Sequence, residues 1–198
     1  RQRLMIDELN HRVKNTLATV QSIASQTLRN TSDFTQARRA LEARIMALSN
    51  AHTMLSDRHW RDAEVGNLVH QELSAFGDEQ VDYGGPTLMV NAKTTVALAL
   101  VLHEMAANAA RHGALSVPEG NLSVKWRRDG EGQLVVDWVE RNGPTPTEPV
   151  RQGFGARLLR MVVTGELGGG LDLNYDQDGL RAQVLIPAAA YAEQEARF

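Results

Sequence analysis

Glu104, Asn108 and His112 recur at intervals of four in LVLHEMAANAARHGALS, residues 100–116. On a helix, positions i, i+4 and i+8 stack on one side. Leu98, Leu102, Met105 and Ala109 take another side for a core. A carboxylate, a carboxamide and an imidazole on an otherwise apolar helix are costly to bury without a partner. A phosphate-bearing ligand with a Mg²⁺ ion supplies one. The amide oxygen of Asn108 is a hard ligand of the kind magnesium prefers. Glu104 can hold a water on the metal or accept a proton. The plain alternative is a wet polar face at a domain edge.

Two further stretches suit the same chemistry. In RQGFGARLL, residues 151–159, Gly153 and Gly155 precede a helical pattern. Backbone amides at such a helix start can cradle phosphates. Upstream lies WVERNGP, residues 138–144. There Glu140, at a strand end, can accept a hydrogen bond from an adenine amino group, and Asn142, Gly143 and Pro144 let the backbone approach the base. Trp138 reads as a core or pocket-wall residue. Near the N-terminus, ELNHRVKNTLATVQSIASQTL carries His11. It points about 200° away from Leu9 on a helix, onto a polar face shared with Asp7, Asn15 and Ala18. An exposed, largely neutral imidazole is a competent nucleophile for phosphorus.

The elements that must hold these residues follow from periodicity. Leu4, Leu9, Val13, Leu17, Val20, Ile23 and Leu28 form one apolar stripe, predicting a long first helix. Asn30, Thr31, Ser32 and Asp33 turn the chain and cap a second helix from about Phe34 to Ser56. Its expected inward residues are Phe34, Ala37, Leu41, Ile45, Leu48 and Met54. The two make an antiparallel hairpin, which cannot bury both stripes alone. Beyond Trp60 we expect a short helix over 63–76, then strand–turn–strand through VDYGG and TLMVNA. A long buried helix over 94–112 follows. A hairpin of strands 121–128 and 133–140 turns at Asp129-Gly130. A helix over 151–166 precedes strands 170–175 and 180–186, joined across Asp178-Gly179. Helices interleaved with mostly antiparallel strands predict an α+β fold: a helical hairpin, then an α/β sandwich with one sheet covered by helices on one face. The boundary is expected near residues 57 to 63, giving domains 1–60 and 61–198.

Composition narrows the class. The chain has 198 residues, 42% hydrophobic and 23% charged, enough for one or two cores. A net charge of −3 gives no basic surface for nucleic acid, and the absence of cysteine excludes disulfides and thiolate–metal sites. No apolar run is long enough to cross a bilayer, so we expect a cytoplasmic location. The sequence starts with Arg1, inside a helical pattern, and is expected to be a fragment whose sensor domain lies upstream.

Taken together, these motifs resemble a known family. ELNHRVKNTLATVQSIA resembles the phosphoacceptor region of the HWE subclass of bacterial sensor histidine kinases, which is HisKA_2-like. HEMAANAARHGALS resembles that family's N box, with His103 at the position of the subclass histidine. Trp138 to Glu140 is similar to its W-x-E signature, and GFGARLL to its second glycine box. LGGGLDLNYDQDGLRAQVLIP resembles the closing strands of the same domain. The likeness spans nearly the whole chain, with four motifs in order.

That resemblance implies a dimerisation and histidine-phosphotransfer hairpin followed by a Bergerat-type ATP-binding sandwich. It implies autophosphorylation of His11 from ATP, then transfer to an aspartate on the receiver domain of a response regulator. Asn108 would be the Mg²⁺ ligand and Glu104 a catalytic or metal-water residue. Glu140 would be the adenine-binding acid, with Gly143 beside it, and Gly153 and Gly155 would border the nucleotide lid. His112 is placed to approach phosphate, and His103 to support the pocket. A homodimer is expected, with a monomer open as an alternative. The competing function is a phosphorelay scaffold with a degenerate ATP domain.

Two positions depart from the family pattern. Many histidine kinases carry an acidic residue directly after the acceptor, whereas here that position is Arg12, with Asp7 and Glu8 nearby. ERNGP also aligns two ways, so either Glu140 or Arg141 takes the adenine-binding position. Asn15, one turn beyond His11, could orient a water that dephosphorylates the regulator.

Overall fold

A computed structural model describes residues 18, 20, 21, 23–25, 34–57, 62–146 and 154–191. The chain divides into two compact units, Arg1–Ala47 and Leu48–Phe198.

In the first unit, residues 18, 20, 21 and 23–25 are helical, and Ile23 is buried as its place on the stripe predicts. Helix α1, Phe34–Asp57, runs through the division between the units. Its buried positions are Arg44, Ala47, Leu48 and Ala51. They follow the i, i+3, i+4, i+7 rule; Leu48 is inward as expected, but the stripe is otherwise turned from the expected one. Ile45, expected inward, is 40% exposed and Met46 is 62% exposed. Two of the four inward positions are small alanines and one is Arg44, which periodicity of large apolar residues does not weight.

In the second unit the expected helix over 63–76 gives up both ends. Residues Asp62–Glu64 form β1, and α2 spans Val65–Leu73. A 3-10 turn, Ser74–Phe76, completes the segment before Gly77 at φ 78°. The expected strand–turn–strand also resolves differently. Strands β2, Val81–Gly84, and β3, Met89–Asn91, do not pair with each other. β2 lies parallel to the strand at Asn121–Arg128 and β3 lies antiparallel to β1. The reason is a contact distant in sequence: a β-carbon on Gly85 would meet the Trp126 backbone oxygen at 2.5 Å, and the Trp126 indole donates to Pro86 O at 2.9 Å. The linking segment is thus held on Trp126, away from a tight turn.

Helix α3, Ala92–His112, begins at Asn91, whose side chain accepts from the Thr94 N–H at 3.0 Å, an N-cap. Strands β4, Asn121–Arg128, and β5, Leu134–Arg141, form the expected hairpin. The Asp129 carboxylate shapes its loop by accepting from the Glu131 and Gln133 amides. Helix α4, Phe154–Arg160, continues as a π-helix over Met161–Glu166. Strands β6, Gly170–Asp176, and β7, Gly179–Ile186, close the sheet, and α5, Ala188–Tyr191, follows.

The large sheet runs β2-β4-β5-β7-β6, antiparallel except for β2 against β4. Alternation assigns its faces. Leu122, Val124, Trp126, Leu134, Val136, Trp138, Ala182, Val184 and Ile186 share one core with Leu68 of α2, Leu98 and Leu102 of α3, Leu158 of α4 and Val162 of the segment at residues 161–166. On the other face Lys125 pairs with Asp82, and Arg127 pairs with Asp137. The result is the expected α+β sandwich, with helices over one face of the sheet.

Candidate functional site

The site is built around α3. Glu104 is 4% exposed, while Asn108, one turn on, is half-buried and His112 is exposed. Solvent access therefore increases along the polar face toward its C-terminal end. The start of α4 lies over this face. A β-carbon built on Gly155 would stand 3.0 Å from Glu104 Oε2 and 3.4 Å from Asn108 Nδ2. Three residues from two separate motifs thus meet, and glycine is what permits the approach. An amide oxygen beside a carboxylate is a hard-oxygen donor set that fits Mg²⁺, an ion that takes few protein ligands and completes its shell with water and phosphate. Among the described residues, no group of three or more His, Asp or Glu forms a ready-made metal cage.

A second cluster forms at the end of α3. Trp138 and Glu140 occupy alternate positions of β5 and so point to the same face. Both are buried, at 0% and 3% exposure. The Trp138 indole donates to Glu140 Oε1 at 2.9 Å, and the Ala114 backbone N–H donates to Oε2 at 2.8 Å. The carboxyl group sits in space left by Gly113, where a β-carbon would lie 2.0 Å from Oε2. Glu140, expected to accept from adenine, is thus also the strut that ties β5 to the end of α3. Arg141, its alternative in the alignment, is exposed. Gly143 packs on the same turn, 2.6 Å from Ala114 Cα to its would-be β-carbon. Asn142 adopts φ 59° and donates to Asn121 Oδ1 at 3.0 Å, where the chain bends beyond β5.

Two stability predictions arise from this cluster. Glu140→Ala should destabilise the chain by about 3 kcal/mol, because it strands two buried donors and leaves a void. Gly143→Ala should destabilise by about 1–3 kcal/mol through overpacking on Ala114 backbone. Denaturant midpoints of both variants against the parent check these values.

His103 faces another way. Its Nδ1 lies 3.0 Å from Glu72 Oε2 of α2, with both side chains mostly buried. This contact ties α2 to α3 and fits a supporting role. His11, Asn15 and Gly153 lie outside the described residues. Sequence reasoning missed Glu72, Gly113 and Ala114. Gly113 carried a signal, since a glycine after the last helical residue marks a C-cap, whereas Glu72 carried none.

The fold is that of histidine kinase domains. Over 93% of this chain and 59% of the other, it superposes on the blue-light-activated histidine kinase of Erythrobacter litoralis with TM-score 0.70 at 22% identity. The separate kinase domain of that protein gives TM-score 0.63 at 18% identity, covering 89% of this chain and 95% of the other. Residues 8–87 match the family model described as HWE histidine kinase. The blue-light-activated histidine kinase of Brucella anthropi is 41% identical over 193 residues, which is 94% of this chain and 39% of that protein. Its counterpart in Brucella ovis is 40% identical over 190 residues, 93% of this chain and 39% of that protein. The chain is thus similar to the HWE histidine kinases, and it spans about two-fifths of the length of these curated relatives.

Proposed function

We propose that the chain is the kinase portion of an ATP-dependent sensor histidine kinase. In this reading an imidazole nitrogen of His11 forms a bond to the γ-phosphorus of ATP as the bond to the ADP oxygen breaks, and the phosphoryl group passes on to an aspartate of a receiver domain. The observation that carries the reading is the meeting of Gly155 with Glu104 and Asn108. It joins the glycine-box motif to the N-box motif at one place. Glu104 and Asn108 precede Gly113 by nine and five residues, so the two clusters stand roughly 14 Å apart at most along α3. That spacing suits a nucleoside triphosphate with its phosphates toward Asn108 and its base toward Glu140.

Mg²⁺, held by Asn108 with Glu104 behind it, would neutralise charge on the phosphates. The chain's own residues do the rest. Glu104 holds a polar contact in a buried setting, Asn108 orients the phosphate end, and Gly155 keeps the start of α4 close above both. The division into a phosphotransfer hairpin, 1–60, and an ATP-binding domain, 61–198, belongs to the same proposal. So do a homodimer, a cytoplasmic location, a response regulator as partner and a sensor region elsewhere in the full protein. Among the described residues, no helix is long and apolar enough to cross a membrane.

The test is the chemistry of the product. Incubated with Mg²⁺ and γ-labelled ATP, the chain should take up label that is lost in acid and kept in alkali, as phosphohistidine is. Acid-stable label would identify a serine or threonine kinase instead. ATP binding without any label would favour the phosphorelay scaffold.

A further inference from the structure

We propose that Trp138 is a positioning residue for nucleobase recognition. Its indole N–H holds the Glu140 carboxyl group in an orientation that accepts from an adenine amino group and opposes the carbonyl oxygen of guanine. The inference rests on the ATP reading above and gives it a residue with a defined role.

A carboxylate offers about four acceptor sites over its two oxygens. Trp138 Nε1 occupies one on Oε1 at 2.9 Å, and the Ala114 N–H occupies one on Oε2 at 2.8 Å. Each oxygen keeps one site. Held at both oxygens, the group cannot turn about its last torsion, so the remaining sites have fixed directions. A pre-oriented acceptor loses no rotamer entropy when a ligand donor arrives.

Packing closes the other escape routes. The would-be β-carbon of Gly113 lies 3.0 Å from Glu140 Cδ and 2.0 Å from Oε2. On the backbone side, a β-carbon on Gly179 would meet Glu140 O at 2.0 Å. Glu140 is thus gripped by two glycines and two donors. Of the donors, only the indole belongs to a side chain, so only Trp138 can be changed without altering the backbone.

Trp126 supplies an internal comparison. It is also a core tryptophan, on the same sheet face, but its indole donates to the Pro86 carbonyl at 2.9 Å. Losing either indole N–H removes one hydrogen bond and some packing. Only the loss at Trp138 frees Glu140.

The experiment measures Mg-ATP and Mg-GTP affinity on the full chain by calorimetry. Trp138→Phe should weaken ATP binding about fivefold, the scale of one hydrogen bond. GTP binding should be unchanged, so the ATP/GTP preference falls by the same factor. Trp126→Phe should lower the melting temperature and keep the parent preference. A Trp138→Phe variant that keeps the parent preference overturns the inference, whatever its melting temperature. A parent chain without preference for ATP over GTP overturns the adenine reading and the inference together.

Should Trp138→Phe fail to fold, the parent decides. Its indole N–H resonances can be assigned by elimination with Trp60→Phe and Trp126→Phe. The Trp138 resonance should shift on titration with ATP and stay still with GTP. No shift with ATP that the chain binds overturns the inference.

Discussion

His11→Ala should take up no phosphoryl label, while its ATP affinity and melting temperature match the parent. The expectation comes from the sequence, since His11 lies outside the described residues. The periodicity that puts Leu9, Val13 and Leu17 on the apolar stripe turns His11 away from it. Removing an exposed imidazole costs little stability, within about 0.5 kcal/mol either way. It deletes the only nucleophile the reading provides, so the loss should be complete rather than partial. Acid-labile label measured beside bound nucleotide separates the two effects. Label that persists in the variant would move the acceptor elsewhere. Lost ATP binding would mean that His11 serves the nucleotide rather than the transfer.

Much of the fold was legible because its signals are local. The hairpin β4–β5 is announced by alternation and by Asp129-Gly130, and α3 by a long Ala- and Leu-rich run. What stayed hidden depends on partners distant in sequence. Nothing within residues 62–64 reveals a pairing with 89–91, twenty-five residues on at its closest register. The parallel pairing of β2 with β4 is non-local in the same way. Ile45 was misplaced because a hydrophobic stripe was read by size, while the buried line of α1 runs through Arg44, Ala47 and Ala51.

The candidate site divides along the same line. Glu104 and Asn108 could be read as neighbours because four residues make one helical turn. Glu140 could be placed at a strand end. Its two donors could not be foreseen together, because Ala114 is twenty-six residues away and becomes a neighbour only when β5 meets the end of α3. The W-x-E spacing gave half of the arrangement, since alternate strand residues share a face. A tryptophan there reads as core by type, and only the hydrogen bond shows that it is also a donor to Glu140.

Asn108→Asp should reduce Mg²⁺-dependent phosphorylation by on the order of a hundredfold or more, with the fold intact. The two side chains have the same shape, and Asn108 is half-buried on the outer part of the polar face, so packing is preserved. What changes is charge and donor capacity. The carboxamide offers one neutral oxygen and two N–H donors, whereas the carboxylate offers only acceptors. Gly155 brings Glu104 Oε2 and the Asn108 amide to the same spot, so the new charge would stand beside a second carboxyl group. It would also face the phosphates. A melting temperature equal to the parent's, with label lost, would support Asn108 as the group that meets the metal and the phosphate end. Label at the parent level would remove Asn108 from the metal site. A fall in melting temperature that tracks the loss of label would make it a structural residue of α3.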